Sequence, residues 1–197
     1  MIYCFQIPGE VIALADSNIT KRALASALKE LMKTEPFAKI SVGDICERCE
    51  MNRKSFYYHF KDKYELVNWI YYTEFITAAR RKEHQTGWDL LENLCEYFDE
   101  NREFYRKSFL VDGQDSFSDY FRDIVVMMLS SDREGMSGEK DSLDFYVEFY
   151  ADALVCAIKK WLLQKEGMSA GEFSNRLKSC LLGTSGKIFR NFSQTDS

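Results

Sequence analysis

Ser41-Val-Gly-Asp-Ile-Cys-Glu-Arg-Cys-Glu-Met-Asn-Arg-Lys-Ser-Phe-Tyr-Tyr-His-Phe60 fits two short helices and a break into one stretch of chain. Ser41 is a good helix N-cap, and Asp44, three residues on, favours the positive end of the helix that follows. A helix from Val42 to about Arg48 places Val42, Ile45, Cys46 and Cys49 on one side. Glu50-Met51-Asn52 then makes a tight break. A second helix runs from Asn52 or Arg53 to Phe60, capped by Asn52. Phe56 and Phe60, four apart, fasten it to a small core beneath.

Two short helices with the second rich in Arg, Lys, Ser and aromatics suit the major groove of DNA. That groove admits one helix, whose N-terminal residues reach base edges. Here those residues are Arg53, Lys54 and Ser55, with Asn52 at the cap. Arg and Lys donate to guanine acceptors, and Ser55 can address a base or a phosphate. Tyr57, Tyr58 and His59 can donate to phosphates, with Lys63 adding a charge; contacts of that kind set register rather than sequence preference.

Asn52-Arg-Lys-Ser-Phe-Tyr-Tyr-His-Phe-Lys-Asp-Lys-Tyr-Glu-Leu66 resembles the signature of the TetR family of bacterial regulators. The likeness covers residues 18–70 and extends upstream through Phe37, Ile40, Val42, Ile45 and Cys46. It implies an all-α fold, with an N-terminal three-helix helix-turn-helix domain followed by a larger helical ligand-binding and dimerisation domain. It further implies phosphate contacts from Tyr57, His59 and Lys63, and base-facing roles for Arg53, Lys54 and Ser55. Tyr58 stands where the family commonly has an aromatic or basic residue. One departure lies in the turn, where the family usually has a small residue and this chain has Cys49-Glu50. A carboxylate there opposes DNA unless it points away or pairs with Arg48 or Arg53. The run Tyr57-Tyr-His-Phe-Lys-Asp-Lys-Tyr64 also resembles family members associated with dihydroxyacetone kinase genes.

Upstream, Asn18–Thr34 reads as an amphipathic helix, with Leu24, Leu28 and Leu31 recurring at helical spacing. Pro36 ends it, because proline disfavours the helical conformation in the residue before it. Downstream, Lys61-Asp62-Lys63 separates the second short helix from a long one, Tyr64–Lys82, carrying Leu66, Val67, Ile70 and Ile76. Further helices are expected at Trp88–Asn101, Arg102–Leu110, Phe117–Ser131, Ser142–Lys165 and Ala170–Phe192, with a loop at Ser130–Asp141. The chain thus divides into an N-terminal arm (1–17), a helix-turn-helix domain (18–63) and a helical regulatory and dimerisation domain (64–197).

The Ser142–Lys165 helix is apolar over a wide arc. Tyr146, Val147, Tyr150, Leu154, Ile158 and Trp161 form one side, and Phe145, Phe149, Cys156 and Leu163 widen it. A helix of this kind is buried on more than one side. Together with the last helix, where Gly183-Thr-Ser-Gly186 permits close approach, it is expected to pair with its twofold mate. The middle aromatics, among them Tyr97, Phe98, Tyr105, Phe109, Phe117 and Phe121, read mainly as core, with room for an inducer pocket between their helices.

The net charge of −5 argues at first against a nucleic-acid partner. Its distribution matters more. Residues 1–63 hold ten Lys and Arg against eight Asp and Glu, a balance of +2; the rest hold sixteen against 23, a balance of −7. Arg53, Lys54, Lys61 and Lys63 face only Asp62 within 52–63. Six scattered cysteines suggest a reduced, cytoplasmic protein rather than a disulfide scaffold. No apolar run approaches the roughly 18 residues of a membrane span.

Chemistry finds little support. Cys46-Glu-Arg-Cys49 has zinc-like spacing, but no second pair follows and both residues fall on an apolar face. No phosphate-binding glycine loop or metal-binding histidine pair appears, so an enzyme is not expected and no cofactor is called for. The expected function is a DNA-binding transcription regulator acting as a homodimer on a near-palindromic operator, a repressor released by a small-molecule ligand. Two alternatives stand beside it as regulators: a dimer working mainly through a protein partner, and an activator related to dihydroxyacetone kinase regulation. A hydrolase using His59 or His84 is the third, from another class.

Overall fold

The computed structural model describes residues 14–81, 86–111, 116–131, 140–164 and 167–183. Every regular element in them is helical. In order they are α1 (Leu14–Thr34), a single 3₁₀ turn (Phe37–Lys39), α2 (Val42–Arg48), α3 (Arg53–His59) and α4 (Lys63–Tyr71). A π-helical turn (Tyr72–Ile76) carries α4 into α5 (Thr77–Arg81). Then come α6 (Gly87–Glu100), α7 (Arg102–Phe109), α8 (Phe117–Ser131), α9 (Lys140–Leu163) and α10 (Ala170–Gly183).

α1 begins at Leu14, four residues earlier than the sequence pattern suggests, so part of the expected arm is helical. The expected loop over Ser130–Asp141 lies largely outside the described residues, as does His84 and the small-residue run beyond Gly183. The α4–α5 run matches the long helix expected at Tyr64–Lys82, but the π turn was not foreseen.

The N-terminal unit is built on α1. Leu24, Leu28 and Met32 of α1 bury against Phe37, Ile40, Ile45, Cys46, Phe56 and Phe60, so each short helix contributes at least one plug to a shared core. Full burial of side chains this size stabilises by about 1.5–3 kcal/mol each, which is what holds seven-residue helices that would not persist alone. From there the core runs on without a break through Leu66, Val67, Ile70 and Tyr71 of α4 into the larger helical body.

That body is organised around aromatic rings. Tyr71 is fully buried and stacks on Phe98 at 5.8 Å, with Tyr105, Phe117 and Phe121 meeting it edge-on within about 6 Å of its centroid. Phe98 meets Tyr105 at 4.9 Å, and Phe109 meets Phe117 at the same distance. These edge-to-face arrangements set the negative ring face against a positive edge. The middle aromatics therefore act as core at these positions.

α9 divides into two faces. Val147, Ala151, Ile158, Trp161 and Leu162 are buried within the chain, and Trp161 stacks on Phe173 of α10 at 4.4 Å. On the other side Phe145, Tyr146 and Phe149 stay exposed. Among the described residues no helix is long and apolar enough to cross a membrane.

Candidate nucleic-acid interface

α2 starts with a reciprocal cap. The Asp44 N–H donates to the Ser41 hydroxyl at 3.2 Å, and the Ser41 N–H donates to the Asp44 carboxylate at 2.7 Å. These bonds hold the Asp44 carboxyl below its usual range, with smaller help from Arg53 and Lys63. α2 ends in the turn that aims the next helix. The Met51 N–H donates to the Cys46 carbonyl at 2.8 Å and the Glu50 N–H to the Glu47 carbonyl at 3.2 Å, the bonding of a Schellman C-cap. That motif needs a left-handed residue, and Glu50 supplies it with φ at 56°. The departure seen in the sequence is thus a real conformational demand, met by a residue with a Cβ. Among the described residues Glu50 is exposed and forms no ion pair with Arg48 or Arg53.

α3 is the presented helix. Asn52 caps it as expected: its side-chain oxygen accepts the Ser55 N–H at 2.8 Å and the Ser55 hydroxyl at 3.2 Å. The Asn52 oxygen is therefore committed to positioning while the residue itself stays exposed, and Ser55, half-buried, has committed its proton and keeps only acceptor capacity. Arg53 and Lys54 are exposed in the first turn. The Arg53 guanidinium lies over Gly43 at the start of α2, where any Cβ would run into it.

Phe56 and Phe60 are buried, their rings 5.8 Å apart, and they lock the inner face of α3. The outer face is unusual. Tyr57 is 58% exposed and Tyr58 is 82% exposed, although tyrosine normally covers much of its ring. His59 is half-buried; burial, with a smaller contribution from the Lys21 charge, lowers its pKa and keeps the ring neutral near pH 7.

Lys63 sits differently from a free phosphate ligand. Its ammonium donates to the carbonyls of Phe37 (2.8 Å), Ala38 (3.2 Å) and Ile40 (2.6 Å). All three of its protons are engaged, closing the open carbonyl end of the 3₁₀ turn, and desolvation lowers its pKa. Of the eight residues read from the sequence, Arg53, Lys54, Tyr57 and Tyr58 share the exposed surface, with His59 and Ser55 at its margin. Asn52 and Lys63 hold the frame.

Cys46 is buried and Cys49 half-buried, with the Cys49 thiol donating to the Ile45 carbonyl at 3.2 Å. Burial pushes both thiols above their ordinary pKa, so they stay protonated and poorly suited to metal or redox work.

Comparison with known proteins agrees with this architecture. Residues 24–70 match the family model described as bacterial regulatory proteins, tetR family. Residues 87–183 match the one described as a transcriptional regulator C-terminal region. The chain is 36% identical over 97 residues to the HTH-type dhaKLM operon transcriptional activator DhaS of Lactococcus lactis subsp. lactis. That alignment covers 49% of this chain and spans about half (52%) of the relative. Among solved structures it is similar to a dihydroxyacetone kinase operon activator DhaS, with a TM-score of 0.64 and 26% identity over 85% of this chain and 96% of that one. A TetR transcriptional regulator from Streptococcus agalactiae shares the fold, with a TM-score of 0.59 at 22% identity over 82% of this chain and 92% of the other. With the capped helix pair inside one matched region and the aromatic body inside the other, the chain belongs to the TetR family of bacterial regulators.

Proposed function

We propose that this protein is a sequence-specific, double-stranded DNA-binding transcription regulator that works in the cytoplasm as a homodimer on a near-palindromic operator. The observation that supports it best is the outer face of α3, where Arg53, Lys54, Tyr57 and Tyr58 stand in solvent on a helix anchored from behind by Phe56 and Phe60. In this reading Arg53 and Lys54 reach base edges, Ser55 accepts a hydrogen bond, and Tyr57, Tyr58 and His59 donate to phosphates. Asn52 and Lys63 fix the helix that does so. Residues 18–63 form the reading unit, 64–197 the regulatory and dimerisation unit, and a small molecule sets the output.

The exposed aromatics of α9 support the dimer. A second chain related by a twofold axis would cover Phe145 and Phe149 and set the two α3 helices about 34–36 Å apart, or a multiple of it. On output, the curated relative and the solved structure that carry the name DhaS favour activation of a dihydroxyacetone kinase operon over repression.

The test is selection of bound sequences from a random duplex pool at two salt concentrations. Enrichment of a palindrome, with affinity falling as salt rises through counterion release, is the expected result. Repeating it with Arg53→Ala should relax preference at one position per half-site, where lost base contacts cost about 1–3 kcal/mol of discrimination. Absence of any enriched sequence would turn the reading toward a protein partner.

A further inference from the structure

Gly43 stands in the first turn of α2, in ordinary right-handed helix that alanine would favour. The backbone there does not ask for glycine; the neighbouring side chain does. Of the five described glycines, Gly43 is the one at which a Cβ would collide with its surroundings. That Cβ would strike a terminal nitrogen of the Arg53 guanidinium and stand 3.2 Å from its Cζ and 3.3 Å from its Nε. Most of the guanidinium therefore fills the space that a side chain at 43 would take.

The seat works by shape. Among the described residues the Arg53 side chain forms no hydrogen bond and no ion pair, so its five N–H donors stay unspent on an exposed residue. The nearby Asp44 carboxylate is committed to the α2 cap and offsets the positive pole of that helix. A planar donor fork discriminates guanine only when it meets both acceptors at once, and a long side chain that is already ordered loses less freedom in doing so. We infer that Gly43 is a specificity-determining residue: by lacking a side chain it seats the Arg53 guanidinium and fixes the direction in which its donors face base edges. α2 thereby takes part in base selection without contributing a side chain of its own. The inference rests on the DNA-reading function proposed above.

The test compares the full-chain parent with Gly43→Ala, Arg53→Ala and the double variant in selection from a random duplex pool. Gly43→Ala should lose about tenfold of the discrimination at the one position per half-site that Arg53→Ala relaxes. In the Arg53→Ala background the same change should do nothing further. Gly171→Ala, at the start of α10 where a Cβ meets open space, should select as the parent does. The thermal midpoint of Gly43→Ala should equal or exceed the parent's, because alanine suits the helix better, which separates lost preference from lost folding. Without DNA, nuclear magnetic relaxation of the Arg53 Nε–H should show an ordered group in the parent and an order parameter below about 0.6 in Gly43→Ala. A palindrome enriched equally by the parent and Gly43→Ala overturns the inference and leaves the DNA-reading function standing. So does a Gly43→Ala effect that persists without Arg53, since the new methyl would then act on DNA directly. An Arg53 group already disordered in the parent overturns the seating itself, whereas a parent that enriches no sequence strikes the DNA-reading function and the inference with it.

Discussion

Glu50 holds the turn between α2 and α3 in a conformation that a side chain with a Cβ adopts at a cost of about 1–2 kcal/mol, against which glycine loses about 0.5–1 kcal/mol of unfolded-state freedom. Glu50→Gly should therefore raise unfolding stability by about 0.5–1 kcal/mol, read from the denaturant midpoint. Removing the carboxylate should also tighten DNA binding at all sequences alike. Glu50→Ala separates the two effects, since it keeps the strained backbone and loses only the charge. Lys63→Ala should behave in the opposite way. It leaves three carbonyls of the 3₁₀ turn without their donor, so it should cost about 1–3 kcal/mol of stability in the absence of any DNA. An unchanged urea midpoint would return Lys63 to a purely phosphate-binding role. The capped α3 helix and its exposed outer face were legible in the sequence because caps, turns and i, i+4 plugs are local. The work of Lys63 was not, because its partners lie 23 to 26 positions away and nothing in its neighbours announces them.

At the scale of elements, cationic side chains recur at the carbonyl ends of helices. Lys107 of α7 donates to carbonyls of Met32, Lys33 and Glu35 at the end of α1, and Arg102 donates to those of Trp161 and Leu162 at the end of α9. Each satisfies groups that a helix end leaves open and meets its negative pole. Glu74, in the π turn, plays the converse part. It receives the Lys29 ammonium of α1 at 2.6 Å and the Tyr97 hydroxyl of α6 at 3.0 Å, and the Tyr97 oxygen lies 2.6 Å from that of fully buried Tyr105. Burial raises the Tyr105 pKa far above the ordinary range, and that of Tyr97 likewise, so both stay neutral. Tyr97→Phe should cost about 1–3 kcal/mol, because the Tyr105 hydroxyl loses the one partner shown for it. Tyr97→Phe with Tyr105→Phe should recover most of that loss, and a loss that simply adds would show the pair uncoupled.

At the scale of the whole molecule, the outer aromatic face of α9 is left uncovered by the described residues. Phe145 is 73% and Phe149 55% exposed, and free Cys156 is exposed on the same helix. A contiguous exposed apolar surface marks an association site. Phe149→Glu should shift the protein to monomer in sedimentation and weaken operator binding by at least tenfold while leaving helical content unchanged. A variant that stays dimeric would move the interface elsewhere. The wide apolar arc of α9 was visible in its sequence. Which part of that arc faces its own chain was not, because periodicity gives the width of a face and not the identity of what covers it.

The π turn has one more consequence. Ile70 and Tyr71 are buried just before it and Phe75 and Ile76 at its end, so like positions fall five apart where an uninterrupted α-helix would repeat them at 3.6. The connector between reading head and body thus acts as a gear with one extra tooth. A single-residue deletion within Tyr72–Ile76 would shorten the run by about 1.5 Å yet turn everything beyond it by about 100°. The spacing of the two halves is therefore set by angular phase rather than by length, and for this connector the count of residues is itself a structural constant.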